Sequence, residues 1–271
     1  GGIYTVLSSR AQTLLKEYGD KLIFLGPDIW QEKNNPDFLE DKKLLTNWRE
    51  AAAKEGVNIR IGRWQVAGRP VAVLVDFQPF FEQRNSIYGT AWQNFGVQSD
   101  KAYGDYDEAS MLSYAAARFV EIIYLSLIHK NEKVVYQAHE WMAGLGMLHL
   151  RKAAPSIATI FTTHATSIGR SITSNNKQLY KYFHGYNGDQ MAEELHMDAK
   201  HSVEKKSAHF ADCFTTVSTF TNEECVQLLE KPADVILPNG FDNDIVPKGS
   251  IFTTKRKAAR KNLLRVASAL L

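Results

Sequence analysis

Four residues that could do chemistry follow two short apolar runs of this sequence. His139 and Glu140 come directly after one run, His164 ends the next, and Arg170 lies six residues further on. A carboxylate and an imidazole at the end of a strand suit a ligand that is recognised through its hydroxyl groups. A guanidinium binds phosphate oxygens through charge-assisted, bidentate hydrogen bonds. The carboxylate and the imidazoles therefore suit a site for a hydroxyl-bearing ligand.

Each of these residues also has a structural interpretation. A histidine at the end of an apolar run, such as His164, is more often a hydrogen-bonded core residue than a functional one. Arg170 could be a solvated loop charge, and Glu140 could be a first-turn carboxylate that the helix dipole favours. Trp141 could pack against a sugar or, as we favour, into the layer between helix and sheet. The residue types alone leave both interpretations open.

Glycine and asparagine mark two further turns. Gly1 and Gly2 precede the helical pattern of Ile3–Leu7, and in doubly wound folds such a turn follows the first strand and faces a phosphate. We therefore expect the chain to lack a strand before Gly1. Asn239 stands in a Pro-Asn-Gly turn, which needs no function of its own.

No metal site is expected from the spacing of the usual ligands. Cys213 and Cys225 show neither metal spacing nor a disulfide framework, so we interpret both as reduced. Glu204 and His209 are five residues apart, which does not place them on one helix face. Ser218, followed by Thr221, fits a helix N-cap, and we assign it no chemistry.

The elements that must position these residues alternate along the chain. Six apolar, β-branched runs have strand length. They are Leu22–Gly26, Val71–Phe77, Val134–Ala138, Ala158–Thr163, Cys213–Val217 and Val235–Leu237. Six segments have helical spacing: Ile3–Tyr18, Phe38–Glu55, Asp107–His129, Trp141–Lys152, Met191–Phe210 and Thr221–Leu229. This alternation predicts an α/β fold with a doubly wound parallel sheet and the ends of its last four strands on one edge.

Three segments depart from the alternation. Asn58–Val66 and Arg69–Phe77 are separated by two residues, which predicts a local β-hairpin. Gln78–Gly104 has no clear periodicity and is predicted to be a surface loop with short helical turns. Thr253–Leu271 has the spacing of a basic amphipathic helix.

Composition limits the class of protein. The chain has 271 residues, 44% of them hydrophobic, and a formal net charge of +2. It can bury a large core, and its balanced charge gives no reason to expect nucleic acid or an anionic membrane as partner. The sequence contains neither a membrane-span pattern nor a signal-peptide pattern. We expect a globular, cytoplasmic protein.

Five motifs together resemble one family. They are Gly1-Gly2-Ile3-Tyr4-Thr5, His139-Glu140-Trp141, Phe161-Thr162-Thr163-His164-Ala165-Thr166, Phe214-Thr215-Thr216-Val217-Ser218 and Pro238-Asn239-Gly240. In order and approximate spacing they are similar to the glycogen synthases of the animal and fungal type, which also occur in some bacteria. The resemblance runs from Gly1 to about Asp242, nearly the whole chain.

The resemblance implies a fold and a division into domains. The fold is the amino-terminal half of a GT-B glycosyltransferase, with Rossmann-like topology. We expect residues 1–250 to form this acceptor-side domain without its first strand. Residues 251–271 are expected to begin the linker helix that leads to a carboxyl-terminal, nucleotide-sugar domain absent from the chain.

The resemblance also implies roles. His164 and Arg170 are the expected catalytic residues, at the transferred glucose and the leaving diphosphate, while Gly1 and Gly2 face the donor phosphate. The acceptor and glucose contacts are assigned to His139, Glu140 and Asn239. No cofactor is implied. The partners are the nucleotide-sugar donor and an α-glucan acceptor, and any homo-oligomer is expected to form through the full-length protein.

The function implied is retaining transfer of glucose from a nucleoside diphosphate glucose, UDP-glucose favoured, to the non-reducing end of an α-1,4-glucan. The chain alone is expected to be inactive, because the donor-binding residues of the family belong to the other domain. A non-catalytic glucan-binding or assembly module is the alternative. A dinucleotide-dependent oxidoreductase is disfavoured, because the glycine turn has no third glycine and no acidic residue follows a second strand at the usual distance.

Overall fold

The computed structural model describes residues 2–29, 35–128, 131–240 and 246–270. The chain forms two compact units, and each is treated by itself. One comprises Ala11–Pro238 and contains all the described strands; the other comprises Gly1–Arg10 with Asn239–Leu271.

The first sheet of the larger unit is mixed. Its four strands are β1 (Ile23–Pro27), β2 (Phe38–Glu40), β3 (Ile59–Trp64) and β4 (Val71–Val75). Their order is β1-β4-β3-β2, with β1 parallel to β4 and the other pairs antiparallel. The predicted hairpin is therefore confirmed as β3 and β4. Because hairpins pair strands antiparallel, this sheet is mixed, as the predicted local hairpin requires.

The second sheet is entirely parallel and carries the candidate site. Its strands are β5 (Val135–His139), β6 (Ala158–Thr163), β7 (Cys213–Thr216) and β8 (Val235–Ile236), in that spatial order. Parallel strands in sequential order require crossovers through helices, which the chain supplies. The carboxyl ends of these strands consequently lie on one edge, as predicted.

Ten α-helices are described. They are α1 (Gly2–Tyr18), α2 (Thr46–Lys54), α3 (Arg84–Phe95), α4 (Tyr106–Leu127), α5 (Gly144–Ala153), α6 (Ser167–Ser174), α7 (Gly188–Glu194), α8 (Asp198–Phe210), α9 (Thr219–Glu224) and α10 (Ser250–Leu270). A π-helical turn, Cys225–Leu229, continues α9.

Three helix boundaries differ from the sequence prediction. The spacing of Phe38–Glu55 predicts one helix, yet the segment begins with β2, whose residues pair with β3, before α2 starts. Met191–Phe210 is broken between α7 and α8, where His196 has a positive φ of 54°. Gln78–Gly104, predicted as a surface loop with short helical turns, contains two such turns and also the 12-residue helix α3.

The core helices α4 and α5 approach closely at Gly146. The Gly146 amide donates to Ser113 Oγ over 2.7 Å, and an added Cβ at this glycine would lie only 2.0 Å from the Ser113 carbonyl oxygen. Only glycine allows the two backbones to come this near. This contact fixes α5, and with it the turn between β5 and α5 that carries Glu140.

Among the described residues, α4 alone is long and apolar enough to span a membrane. Half of its apolar stretch is buried within the protein. Core helices of globular proteins are commonly as long and as apolar as this one.

Candidate functional site

The two histidines predicted for the site are in contact. Their strands, β5 and β6, are neighbours in parallel register, with His139 opposite Thr162. His139 Nδ1 lies 3.0 Å from His164 Nε2, and the rings stack with centroids 5.3 Å apart. In this hydrogen bond one nitrogen donates and the other accepts, so at least one of the two rings is neutral.

Glu140 has an unusual backbone conformation. Its φ is 64° and its ψ is 168°, a region that is essentially restricted to glycine. Its amide donates to the Thr162 carbonyl over 2.8 Å, which ties the residue to the adjacent strand. Strain of this kind costs about 1–3 kcal/mol and persists because the surrounding structure enforces it. Here it accompanies a turn that buries the carboxylate beside the next strand.

The Glu140 carboxylate connects the elements of the site. The residue is only 2% exposed. Its Oε1 accepts from the His164 amide over 3.3 Å and from the Arg170 guanidinium over 3.3 Å. Its Oε2 is buried and has no hydrogen-bond partner among the described residues. Burial raises the pKa of Glu140, and the Arg170 charge opposes that rise.

Arg170 lies at the mouth of the site. It belongs to the first turn of α6, and its side chain is 61% exposed although it contacts a carboxylate that is almost completely buried. The guanidinium therefore has one side toward Glu140 and the rest toward solvent. Such a side chain can add bidentate bonds to an incoming anion.

The amino terminus of α6 is capped and supported. Thr166 is the N-cap, and its hydroxyl oxygen accepts from the Gly169 amide over 3.2 Å. The same hydroxyl donates to Glu224 Oε2 over 2.8 Å, and Tyr180 donates to the other oxygen of Glu224 over 2.5 Å. A Cβ at position 169 would lie 2.4 Å from Thr166 Oγ1.

Glu204 is part of the same cluster, and the sequence interpretation missed it. The residue is completely buried in α8. One carboxylate oxygen accepts from the Ser167 amide over 2.7 Å and the other from the Thr163 hydroxyl over 3.3 Å. Burial, reinforced by the Glu140 charge, raises the pKa of Glu204 to about 7. No local sequence pattern indicates that this carboxylate is buried, because its partners Thr163 and Ser167 are distant in sequence.

The remaining predicted residues lie elsewhere. Gly1 is outside the described residues. Gly2 is the first residue of α1, and Asn239 is exposed beyond β8; both belong to the smaller unit. Within the described ranges, no three His, Cys, Asp or Glu side chains are grouped as they are in a metal site. The roles of these residues stay predictions.

Two structural interpretations are confirmed. Trp141 is buried and stacks on Tyr106, with centroids 5.7 Å apart and planes only 3° apart. Ser218 is the N-cap of α9, and its hydroxyl accepts from the Thr221 amide over 3.1 Å. Neither residue needs a chemical role to explain its position.

Comparison with known proteins identifies the family. The glycogen synthase family model matches residues 1–250. Glycogen [starch] synthase isoform 2 of Saccharomyces cerevisiae is 32% identical over 254 residues, covering 89% of this chain and 36% of the yeast protein. The liver enzyme of Homo sapiens is 32% identical, over 89% of this chain and 34% of its own length. The Neurospora crassa enzyme is 31% identical, with the same two coverages.

The chain therefore belongs to the glycogen synthase family. It spans about a third of the length of the curated relatives that it matches. The α/β fold with a parallel sheet is consistent with the Rossmann-like half of a GT-B glycosyltransferase.

Proposed function

We propose that the protein containing this chain transfers glucose, with retention, from a nucleoside diphosphate glucose to the non-reducing end of an α-1,4-glucan. UDP-glucose is the favoured donor, and the cytoplasm is the proposed location. One observation carries the proposal beyond family membership: a buried carboxylate, Glu140, joins the backbone of His164 to the guanidinium of Arg170 at the mouth of a parallel sheet. Open α/β sheets bind their ligands at this edge.

The arrangement supports a division of roles. Arg170 stabilises the negative charge that develops on the leaving diphosphate, since its guanidinium is exposed at the mouth. His164 stabilises the positive charge that develops at the transferred glucose. His139 and Glu140 bind glucose hydroxyl groups, and the family resemblance is the support for giving Asn239 the same role.

Gly1 and Gly2 keep their proposed role at the donor phosphate. Backbone amides at the start of a helix favour an anion, and Gly2 begins α1. The proposal for these two glycines depends on the family resemblance, and on this position of Gly2.

The chain alone is proposed to be inactive. GT-B enzymes form their active site between two domains, and without the cationic contacts of the second domain the leaving diphosphate loses a large part of its electrostatic stabilisation. A non-catalytic glucan-binding module is the alternative for the isolated chain, because this chain contains His139 and Glu140, the side chains proposed to bind hydroxyl groups, and both contact His164.

Labelled UDP-glucose and glycogen provide the test. We expect the full-length protein to incorporate label into glycogen and the 271-residue chain to incorporate none, while maltooligosaccharide still binds the chain weakly. An Arg170→Ala variant of the full-length protein should bind donor less well, whereas Arg151→Ala, which removes an arginine paired with Asp212, should bind it normally. A full-length protein without transfer from any nucleoside diphosphate glucose would refute the proposal.

A further inference from the structure

The segment that carries His164 and Arg170 is held by carboxylates from three separate elements. Glu140 accepts the amide of His164, Glu204 accepts the amide of Ser167, and Glu224 accepts the hydroxyl of Thr166. All three carboxylates are buried. A turn between strand and helix does not need three buried carboxylates, because water or a single N-cap side chain satisfies such amides at most helix starts.

Of the three carboxylates, Glu204 is the most buried, and both of its oxygens accept hydrogen bonds. It is fully buried, and its two oxygens bind donors on both sides of His164, the Thr163 hydroxyl and the Ser167 amide. Because the donors are four residues apart, the carboxyl group spans the turn and fixes its path. His164 lies within the spanned turn, and Arg170 follows one helical turn after Ser167.

Glu204 also acts on the site through its charge. The titratable groups that interact with it are Glu140, at the end of β5, and the Cys225 thiol, in the π-helical turn. Burial raises the pKa of Cys225, so this thiol remains neutral at physiological pH. On α8 itself, Lys205 and His201 pair with Asp189, on α7. The Glu140 charge contributes to the raised pKa of Glu204, so the two carboxyl groups are coupled.

We propose that Glu204 is a positioning residue of the transfer site: its carboxyl group fixes the Thr163–Ser167 turn, and its charge state controls how strongly Glu140 holds Arg170. This inference rests on the proposed function, because Arg170 is assigned there to the donor diphosphate. Glu204 touches no substrate in this scheme and acts through Glu140 and the turn.

The charge effect has a definite sign. When Glu204 is protonated, Glu140 is the one buried negative charge of the pair, and Arg170 balances it. When Glu204 loses its proton, a second buried negative charge acts on Glu140, and the pair attracts the guanidinium more strongly because buried charges are weakly screened. Arg170 is then drawn toward the protein and away from an incoming diphosphate. Because the pKa of Glu204 is raised to about 7, this change falls near neutral pH.

The pH dependence of the full-length enzyme tests the inference. For the wild type we expect kcat/KM for the donor to fall as pH rises through about 7, by as much as about tenfold. Glu204→Gln should remove this limb of the profile, since glutamine keeps an acceptor for the Ser167 amide but carries no charge. Glu193→Gln, an exposed carboxylate of α7, is the matched control and should leave the profile unchanged.

A second variant separates positioning from charge. Glu204→Ala removes both hydrogen-bond acceptors, and we expect kcat to fall about 100-fold, because displacement of reacting groups by about 1 Å has this effect. Glu204→Gln should retain most of kcat. If Glu204→Gln shows the wild-type pH profile, or if alanine and glutamine variants have equal kcat, the inference is wrong.

A measurement on the unsubstituted protein tests the inference even if the Glu204 variants do not fold. Carbon-13 NMR of labelled glutamate carboxyl groups should show one buried carboxyl that titrates near pH 7, and Glu140→Gln should lower its midpoint. A midpoint unaffected by Glu140→Gln would contradict the coupling. This titration does not depend on transfer, so absence of transfer in the wild type refutes the proposed function alone.

Discussion

Replacement of Glu204 by glutamine should change how the stability of the chain depends on pH. The pKa of Glu204 is about 7 in the folded chain, against an ordinary value of 4.5. Below pH 4.5 the carboxyl is protonated in both the folded and the unfolded state, and burial imposes no ionic penalty. As pH rises to 7 the unfolded chain loses this proton first, so the free energy of unfolding falls. One pH unit corresponds to about 1.4 kcal/mol, so the loss amounts to about 3 kcal/mol.

Urea unfolding, followed by circular dichroism between pH 4.5 and pH 8, measures this effect. The free energy of unfolding of Glu204→Gln, minus that of the unsubstituted chain, should rise by about 3 kcal/mol across the window from pH 4.5 to pH 7 and stay level above it. Any hydrogen bond that glutamine makes less well shifts the whole curve without changing its slope. The free energy of unfolding of Glu193→Gln should depend on pH in the same way as that of the unsubstituted chain. A pH-independent difference for Glu204→Gln would show that the buried carboxyl titrates normally and would refute the reasoning.

Three further outcomes are expected. His164→Ala in the full-length protein should lower kcat about 100-fold or more and change glucan affinity little, as measured by steady-state kinetics. Equal losses in kcat and in affinity would show that His164 is a structural core residue. Gly146→Ala should destabilise the chain by several kcal/mol, because its Cβ would lie 2.0 Å from a carbonyl oxygen of α4, whereas Gly89→Ala in α3, with open space around it, should stabilise it by up to about 1 kcal/mol. At position 140, Glu140→Gly should give a higher melting temperature than Glu140→Ala, because only glycine adopts a φ of 64° with a ψ of 168° without strain; an alanine variant as stable as the glycine variant would mean that the turn relaxes.

The strand ends of the candidate site could be predicted from sequence because two simple patterns coincide there. Apolar β-branched runs such as Ala158–Thr163 mark buried strands, and a polar residue directly after the run marks the ligand edge of a parallel sheet. The contact between His139 and His164 follows from that pattern, because the carboxyl ends of adjacent parallel strands are neighbours. The positions of Asn239 and of Gly1 relative to this pair stay predictions.

Other features depend on contacts between distant parts of the chain. Phe38–Glu40 has no strand pattern of its own and becomes β2 because β3 offers it a hydrogen-bonding edge. For Glu204, the local sequence offers only the five-residue spacing from His209, which argues against a metal pair. Its actual partners, Thr163 and Ser167, are about 40 residues away in sequence. No periodicity indicates which carboxylate of a helix will be buried against a distant turn.

The site concentrates features that oppose stability. Glu140 combines a strained backbone with a buried oxygen that has no partner among the described residues, and Glu204 places a second carboxyl group nearby in the core. Strain costs about 1–3 kcal/mol, and an unsatisfied buried acceptor costs a similar amount. The fold does not require these costs, because a glycine at position 140 and an uncharged acceptor at position 204 could support the same turn. Their position beside His164 and Arg170 supports the interpretation that stability is lost here in favour of a preorganised charge distribution.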